Sequence, residues 1–367
     1  MGDYRFDETL AVHRLEVFHL DMPFESPLIL AKAELPVRSV LLLKWNLRAG
    51  DGSRVIAWTE IAPLPGFSRE TLNECQVQLD NFIKSTFNNP NKPRTLTTLM
   101  AAIKSSSGVL YPSVAFGLEA VRIPLESERT KNSGKNNRDS RDERSHEGGN
   151  PDQYSRRCWL LTERDVATKN LAMMSFFAER IKIKVGLGSL ARDIERVNAL
   201  IQNPSFRGKL RLDANRNWSL QQVERISQQV DCSRIEWFEE PLSEPSQYKS
   251  WANVCDIGYA LDESLYQPCV VTNAASLQSH RGLMGLILKP TLLGLDSVYA
   301  LSGWATLQGC RSIISSSFES CIGLGLLSHL AAQLGPQDYH GLDTQKYFPN
   351  AVQKSIPAGL LRKVAEL

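Results

Sequence analysis

No Cys-x-x-Cys pair occurs in the sequence, and its seven cysteines, Cys75, Cys158, Cys232, Cys255, Cys269, Cys310 and Cys321, are scattered and odd in number. That pattern argues against a disulfide framework and against a zinc site, so most are expected to be reduced core residues. An excess of charge is lacking too: 42 basic against 40 acidic residues leave a net +2, too balanced for a nucleic-acid footprint or attraction to an acidic membrane surface. No uninterrupted apolar run is long enough to span a bilayer, and Met1 to Glu8 has no basic start leading into an apolar stretch. These absences predict a cytoplasmic protein whose partner is a small molecule, with no nucleic acid and no membrane. They leave the oligomeric state open, a monomer included.

What is present is an ordinary globular composition, 42% hydrophobic and 22% charged over 367 residues. Such a chain can bury a sizeable core, and its length suits a barrel with an added domain. From His13 to Ala62 the pattern is extended: Arg14 to Leu20 alternates, while Ser39 to Trp45 and Val55 to Ile61 are short apolar runs. Pro63 to Ser68 is turn chemistry, and Ser68 is the expected N-cap of a helix that follows. Between Glu126 and Gln153 there is no apolar or aromatic residue. A segment of that kind cannot offset its ordering entropy by burial, and a mobile surface insertion is predicted over residues 126–157, with a regulatory or nucleic-acid-binding arm as the alternative.

After the insertion comes a rhythm of short β-like runs separated by helix-length intervals: Cys158 to Leu161, Ile181 to Val185, Lys209 to Leu212, Arg234 to Phe238, Ile257 to Leu261, Met284 to Leu288 and Arg311 to Ile314. Repeated βα units without a Gly-x-Gly-x-x-Gly after the first strand favour an α/β barrel over a Rossmann sheet. Active-site groups of a barrel sit at the C-terminal ends of its strands. Here those ends carry Lys182-Ile183-Lys184, Asp213-Ala214-Asn215, Glu239-Glu240-Pro241, Asp262-Glu263-Ser264, Lys289-Pro290 and Ser315-Ser316-Ser317.

Asp213, Glu239 and Asp262, projecting from successive strands, would repel one another unless a cation neutralised them, and hard oxygen donors suit Mg²⁺. The alternative is that each carboxylate caps the helix after its strand. Lys182 and Lys184 alternate onto one face, with Lys289 across the mouth. Close approach of ammonium groups and a metal would lower a lysine pKa toward that of a base, whereas a solvated basic rim would not. Arg211 and Asn215 flank Asp213, Arg211 either orienting ligands or forming a structural ion pair in the barrel wall.

At these residues the chain resembles the enolase superfamily and, within it, the o-succinylbenzoate synthase family. The resemblance rests on Glu60 to Ser68, Lys182 to Gly186, Arg211 to Asn215, Trp237 to Pro241, Asp262 to Ser264, Leu288 to Pro290 and Ser315 to Ser320. It implies a (β/α)7β modified TIM barrel (residues 111–344) under an α+β capping domain made of residues 1–110 and the tail 345–367. It further implies Mg²⁺ on Asp213, Glu239 and Asp262, with Lys184 as the base, Lys289 opposite it and Lys182 beside it. The reaction implied is syn-dehydration of a cyclohexadiene carboxylate through an enediolate, in menaquinone biosynthesis. Ser315 and Ser317 are expected against the substrate's succinyl arm, and Gly66 and Phe67 of the capping loop against water. N-succinylamino acid racemases, dipeptide epimerases and muconate cycloisomerases share the lysine arrangement, but the Asp-x-Asp of the epimerases is missing. An inactive barrel serving as a binding scaffold is the reading outside enzymology.

Overall fold

The structure, a computed structural model, describes residues 10–30, 33–87, 93–106, 108–123, 155–161 and 178–366. The insertion expected over residues 126–157 lies outside the described residues up to 154. Its last residues depart from the expectation, because Arg156–Arg157 form a strand.

Two sheets organise the chain. The first is antiparallel, in the order β13-β1-β2-β3, with β1 Ala11–Leu30, β2 Ala33–Arg48, β3 Arg54–Ile61 and β13 Leu361–Glu366. Alternating residues of β1 and β2, among them Leu15, Val17, Leu43 and Trp45, bury one face against the helices Leu72–Phe87 and Leu96–Ser105. The first of those helices is capped by Thr71 rather than Ser68: the Glu74 amide donates to Thr71 Oγ1 at 3.3 Å and the Thr71 amide returns to Glu74 Oε2 at 2.8 Å. Ser68 Oγ instead accepts from Leu64 N at 2.9 Å and closes the turn before it. Truncating a side chain as deeply buried as Trp45 or Leu79 to alanine would cost about 2–5 kcal/mol.

The second sheet is parallel, in the order β11-β10-β9-β8-β7-β6-β5, comprising β5 Trp159–Leu161, β6 Arg180–Lys184, β7 Lys209–Asp213, β8 Ile235–Glu239, β9 Tyr259–Leu261, β10 Leu283–Leu288 and β11 Arg311–Ile314. Each of the seven predicted runs coincides with one of these strands. The fifth is shorter than expected, since Ile257 precedes β9 and accepts a hydrogen bond from Trp251 Nε1. Closure comes from β12, Tyr339–His340, which pairs with β4, Arg156–Arg157, on one side. On the other side Gly341 N donates to Ile314 O at 2.9 Å.

Helices follow the strands for local reasons. Ser189 caps the amphipathic helix Leu190–Gln202, which buries Ile194, Val197 and Leu200, and Ser219 with Gln222 forms a reciprocal capping box on Leu220–Ser227. The resulting architecture is a (β/α)7β barrel with an α+β capping domain.

Candidate active site

Register fixes which side chains share the mouth of the barrel. Lys184, Asp213 and Glu239 are lateral neighbours on β6, β7 and β8. One layer below them lie Lys182, Arg211 and Trp237. Alternation along parallel strands therefore sends all six toward the axis. Asp262 follows β9 directly, and Lys289 follows β10 directly, four strands round the ring from β6. All of them but Trp237 line one cleft open to solvent, with Ser315, Ser316 and Ser317 on the β11 side and Leu30, Leu64 and Phe67 from the capping domain.

The charges inside are paired in a particular way. Lys182 Nζ lies 2.8 Å from Glu239 Oε1 and 3.0 Å from Asp213 Oδ2. Lys289 Nζ lies 2.6 Å from Asp262 Oδ2, while the Tyr266 hydroxyl donates to the other oxygen of that carboxylate. Among the described residues no group of three or more acidic, cysteine or histidine side chains is already closed around a point where an ion would sit. The three carboxylates share the cleft, each turned toward a cation of the protein.

The expected depression of a lysine pKa is not found at Lys182 or Lys289. Burial presses both down, but Asp213 and Glu239 around Lys182, and Asp262 and Glu263 around Lys289, outweigh it and hold each ammonium above its ordinary range. Lys184 differs from both: it is exposed at the cleft, and no ion pair to its amine occurs among the described residues. The acids respond to the crowding. Burial pushes Glu239 up to about 7 despite Lys182, and Asp213 and Asp262 add to the rise. Burial also raises Glu263 to about 8, with Asp262 contributing. Asp213, also buried, is nevertheless held below its ordinary value by Lys182 and Lys184. Its Oδ1 is buried without a hydrogen-bond partner among the described residues.

The remaining expected residues divide. Asn215, in a left-handed conformation at φ 44°, donates to Glu263 Oε1 at 2.9 Å. Ser315 and Ser317 line the cleft, and Ser317 Oγ is buried without a hydrogen-bond partner among the described residues. Phe67 lines it as well, whereas Gly66 does not and turns the loop at φ 83°. Arg211 is committed to the barrel wall through Glu236 at 2.6 Å and the Tyr339 carbonyl at 2.6 Å, though its Nη2 is buried without a hydrogen-bond partner among the described residues. Leu30, Glu263, Tyr266, Asp343 and Thr344 were not anticipated. Glu263 sits inside a quoted motif and was available from it, but the others carry no local signal.

An enolase-superfamily barrel beneath its capping domain is the class these observations define. Residues 166–334 match the Enolase C-terminal domain-like family and residues 12–125 match MenC, N-terminal domain. The chain belongs to the o-succinylbenzoate synthase family: it is 32% identical over 339 residues to the o-succinylbenzoate synthase of Yersinia pseudotuberculosis, covering 89% of each chain. Over 351 residues it is 30% identical to that of Aliivibrio fischeri, covering 93% of each. In fold it is similar to the o-succinylbenzoate synthase of Thermosynechococcus elongatus complexed with Mg in the active site, at TM-score 0.63 and 21% identity, covering 94% of this chain and 97% of that one. No helix among the described residues is long and apolar enough to cross a membrane.

Proposed function

We propose that this chain is a hydro-lyase that dehydrates 2-succinyl-6-hydroxy-2,4-cyclohexadiene-1-carboxylate to o-succinylbenzoate with Mg²⁺, serving menaquinone biosynthesis in the cytoplasm. The observation that carries the reading is the cleft itself. It places three strand-end carboxylates between amines from opposite sides of the ring, in a chain 32% identical to a named synthase over 89% of its length. Residues 1–110 with 345–367 form the capping domain in this reading, and 111–344 the barrel.

Asp213, Glu239 and Asp262 would hold the ion. The donor set fits: all three are hard oxygen ligands, and both the orphaned Asp213 oxygen and the raised Glu239 mark negative charge that a divalent cation would relieve. When bound, Mg²⁺ counters the charge that develops on the substrate carboxylate as the α-proton leaves.

Lys184 takes that proton, because it alone of the three lysines is not tied to a carboxylate among the described residues. As an ammonium it then protonates the departing hydroxyl on the same face. The C–H and C–O bonds break, water leaves and the ring becomes aromatic. Lys289, fixed to Asp262, stays cationic against the opposite face. Lys182 clamps Asp213 and Glu239, and Asn215 steadies Glu263. Ser315 and Ser317 meet the succinyl arm, and Leu64 and Phe67 exclude water.

The test is the ultraviolet change of the cyclohexadiene carboxylate with purified protein, with Mg²⁺ and with excess EDTA, run beside an N-succinylamino acid racemisation assay. Turnover is expected only with Mg²⁺. Racemisation without dehydration would move the chain to the racemases, and neither activity alongside tight partner binding would favour a scaffold.

A further inference from the structure

Three buried charged side chains outside the cleft join the capping domain to the β11 end of the barrel: Arg38, Glu60 and Glu319, each about 1% exposed. Arg38 projects from β2 and, among the described residues, has no carboxylate in hydrogen-bond contact. Its Nη1 donates to Pro63 O at 2.6 Å and its Nη2 to Ala62 O at 2.5 Å, both in the capping loop that continues into Leu64 and Phe67. The same guanidinium reaches the barrel, from Nη2 to Ser317 O at 3.3 Å and from Nε to Phe318 O at 3.2 Å. One planar fork thus satisfies backbone carbonyls on both walls of the cleft.

Glu60, at the end of β3, reinforces the same joint. Its carboxylate accepts from Ser320 N and Gly323 N, each at 3.0 Å, and from the Ser320 hydroxyl. It therefore lies on the N-terminus of the barrel helix Cys321–Leu334, where backbone amides favour an anion. Glu319 completes the set, accepting from Ser317 N at 2.6 Å and Thr291 Oγ1 at 2.7 Å. Between these anchors Phe318 holds φ 62°, a conformation that a bulky residue keeps only when its surroundings impose it.

We infer that Arg38 and Glu60 are positioning residues of the reaction: they lock the Ser315–Phe318 wall of the cleft to the capping loop, so that the surface meeting the substrate's distal arm and the lid over it are set as one piece. Neither residue is among those lining the cleft. The inference rests on the proposed dehydration for its kinetic consequence, but its structural consequence stands apart from it. A lysine at position 38 would supply a point charge and could not bridge four carbonyls at once. Loss of the joint loosens substrate binding while leaving the proton-transfer groups in place, and binding lost equally from ground state and transition state appears in KM.

The experiment compares Arg38→Lys, Glu60→Gln and Ser320→Ala with the parent chain, and with Leu79→Ala as a destabilised control in the capping core away from the joint. Expected in Arg38→Lys is a KM about tenfold higher with kcat changed less than about threefold and the Mg²⁺ activation constant unmoved. Backbone amide exchange should accelerate in residues 315–323, as it should not in Leu79→Ala. The milder Glu60→Gln and Ser320→Ala carry the decision if Arg38→Lys does not fold, with the same split at smaller size. A KM within twofold of the parent and unchanged exchange at 315–323 would overturn the inference, as would an equal rise in KM in Leu79→Ala. An inactive parent would count against the assigned reaction instead, leaving the exchange comparison to judge the joint.

Discussion

Two glutamates three residues apart on β8 have opposite fates. Glu236 lies at the barrel floor, where a slip in register between β7 and β8 leaves it without a partner on β7, between Ile235 opposite Leu210 and Trp237 opposite Arg211. Arg211, Arg311 and Arg180 approach its carboxylate at 2.6, 2.7 and 3.2 Å. Burial alone would raise its pKa, but these guanidiniums outweigh burial and hold it down to about 2. Arg211 and Arg311 also lie over the Trp237 ring, 4.0 and 4.2 Å from its centroid. Glu239 lies at the mouth among other acids and is pushed up to about 7. At the floor one carboxylate is met by three guanidiniums. The mouth has negative charge that its lysines do not fully meet, and that deficit is what distinguishes a binding centre from a structural one.

The comparison breaks most visibly in turnover. Lys184→Ala or Lys289→Ala should lower kcat by about 10³-fold or more, measured at saturating Mg²⁺, whereas Arg311→Lys at the floor should change it severalfold at most. Stability separates the two glutamates by sign. Glu236→Gln leaves three guanidiniums without their shared carboxylate and should cost about 3–5 kcal/mol in urea unfolding. Glu239→Gln removes a charge whose folded pKa lies above its ordinary 4.5, so at pH 8 it should not destabilise the metal-free protein. It should still weaken Mg²⁺ binding at least about tenfold by calorimetry, given how few ligands the ion has.

Acid and base should act on different glutamates. Glu236 falls from 4.5 to about 2 on folding, so its contribution is complete above pH 4.5 and is lost as pH drops toward 2. Burial raises Glu60 and Glu119 from 4.5 to about 7, so their contribution is complete below 4.5 and is lost as pH rises through 7. The urea midpoint should therefore be highest near pH 4.5 and fall on either side, and Glu236→Gln should flatten only the acid side. The smallest effect is expected from deleting residues 126–153, whose wholly polar composition gives the core nothing to bury. Turnover should stay within about twofold.

Much of this was legible in the sequence, for identifiable reasons. Barrel strands are short apolar runs with polar ends, so β5 to β11 and the residues closing them stood out. The last strand, Tyr339–His340, is too short to show a period, and it took the pairing with β4 to reveal it. The long β1–β2 hairpin was read only in part, because Pro23, Pro27 and Pro36 interrupt the alternation. Arg38, Glu60 and Glu319 gave no sign of joining two domains, since many of their partners are backbone groups, as many as 280 positions away. Spacing shows that Lys182 and Lys184 share a face but not which carboxylates reach Lys182 first.

The central claim is that Asp213, Glu239 and Asp262 converge on one divalent ion. Crystals grown with Mn²⁺ in place of Mg²⁺ test it through anomalous scattering. The account predicts a single strong peak in the cleft, bonded to oxygens of all three side chains, with the Lys184 and Lys289 amines on opposite sides of it. A peak elsewhere, or one touched by fewer than two of the three carboxylates, would contradict it.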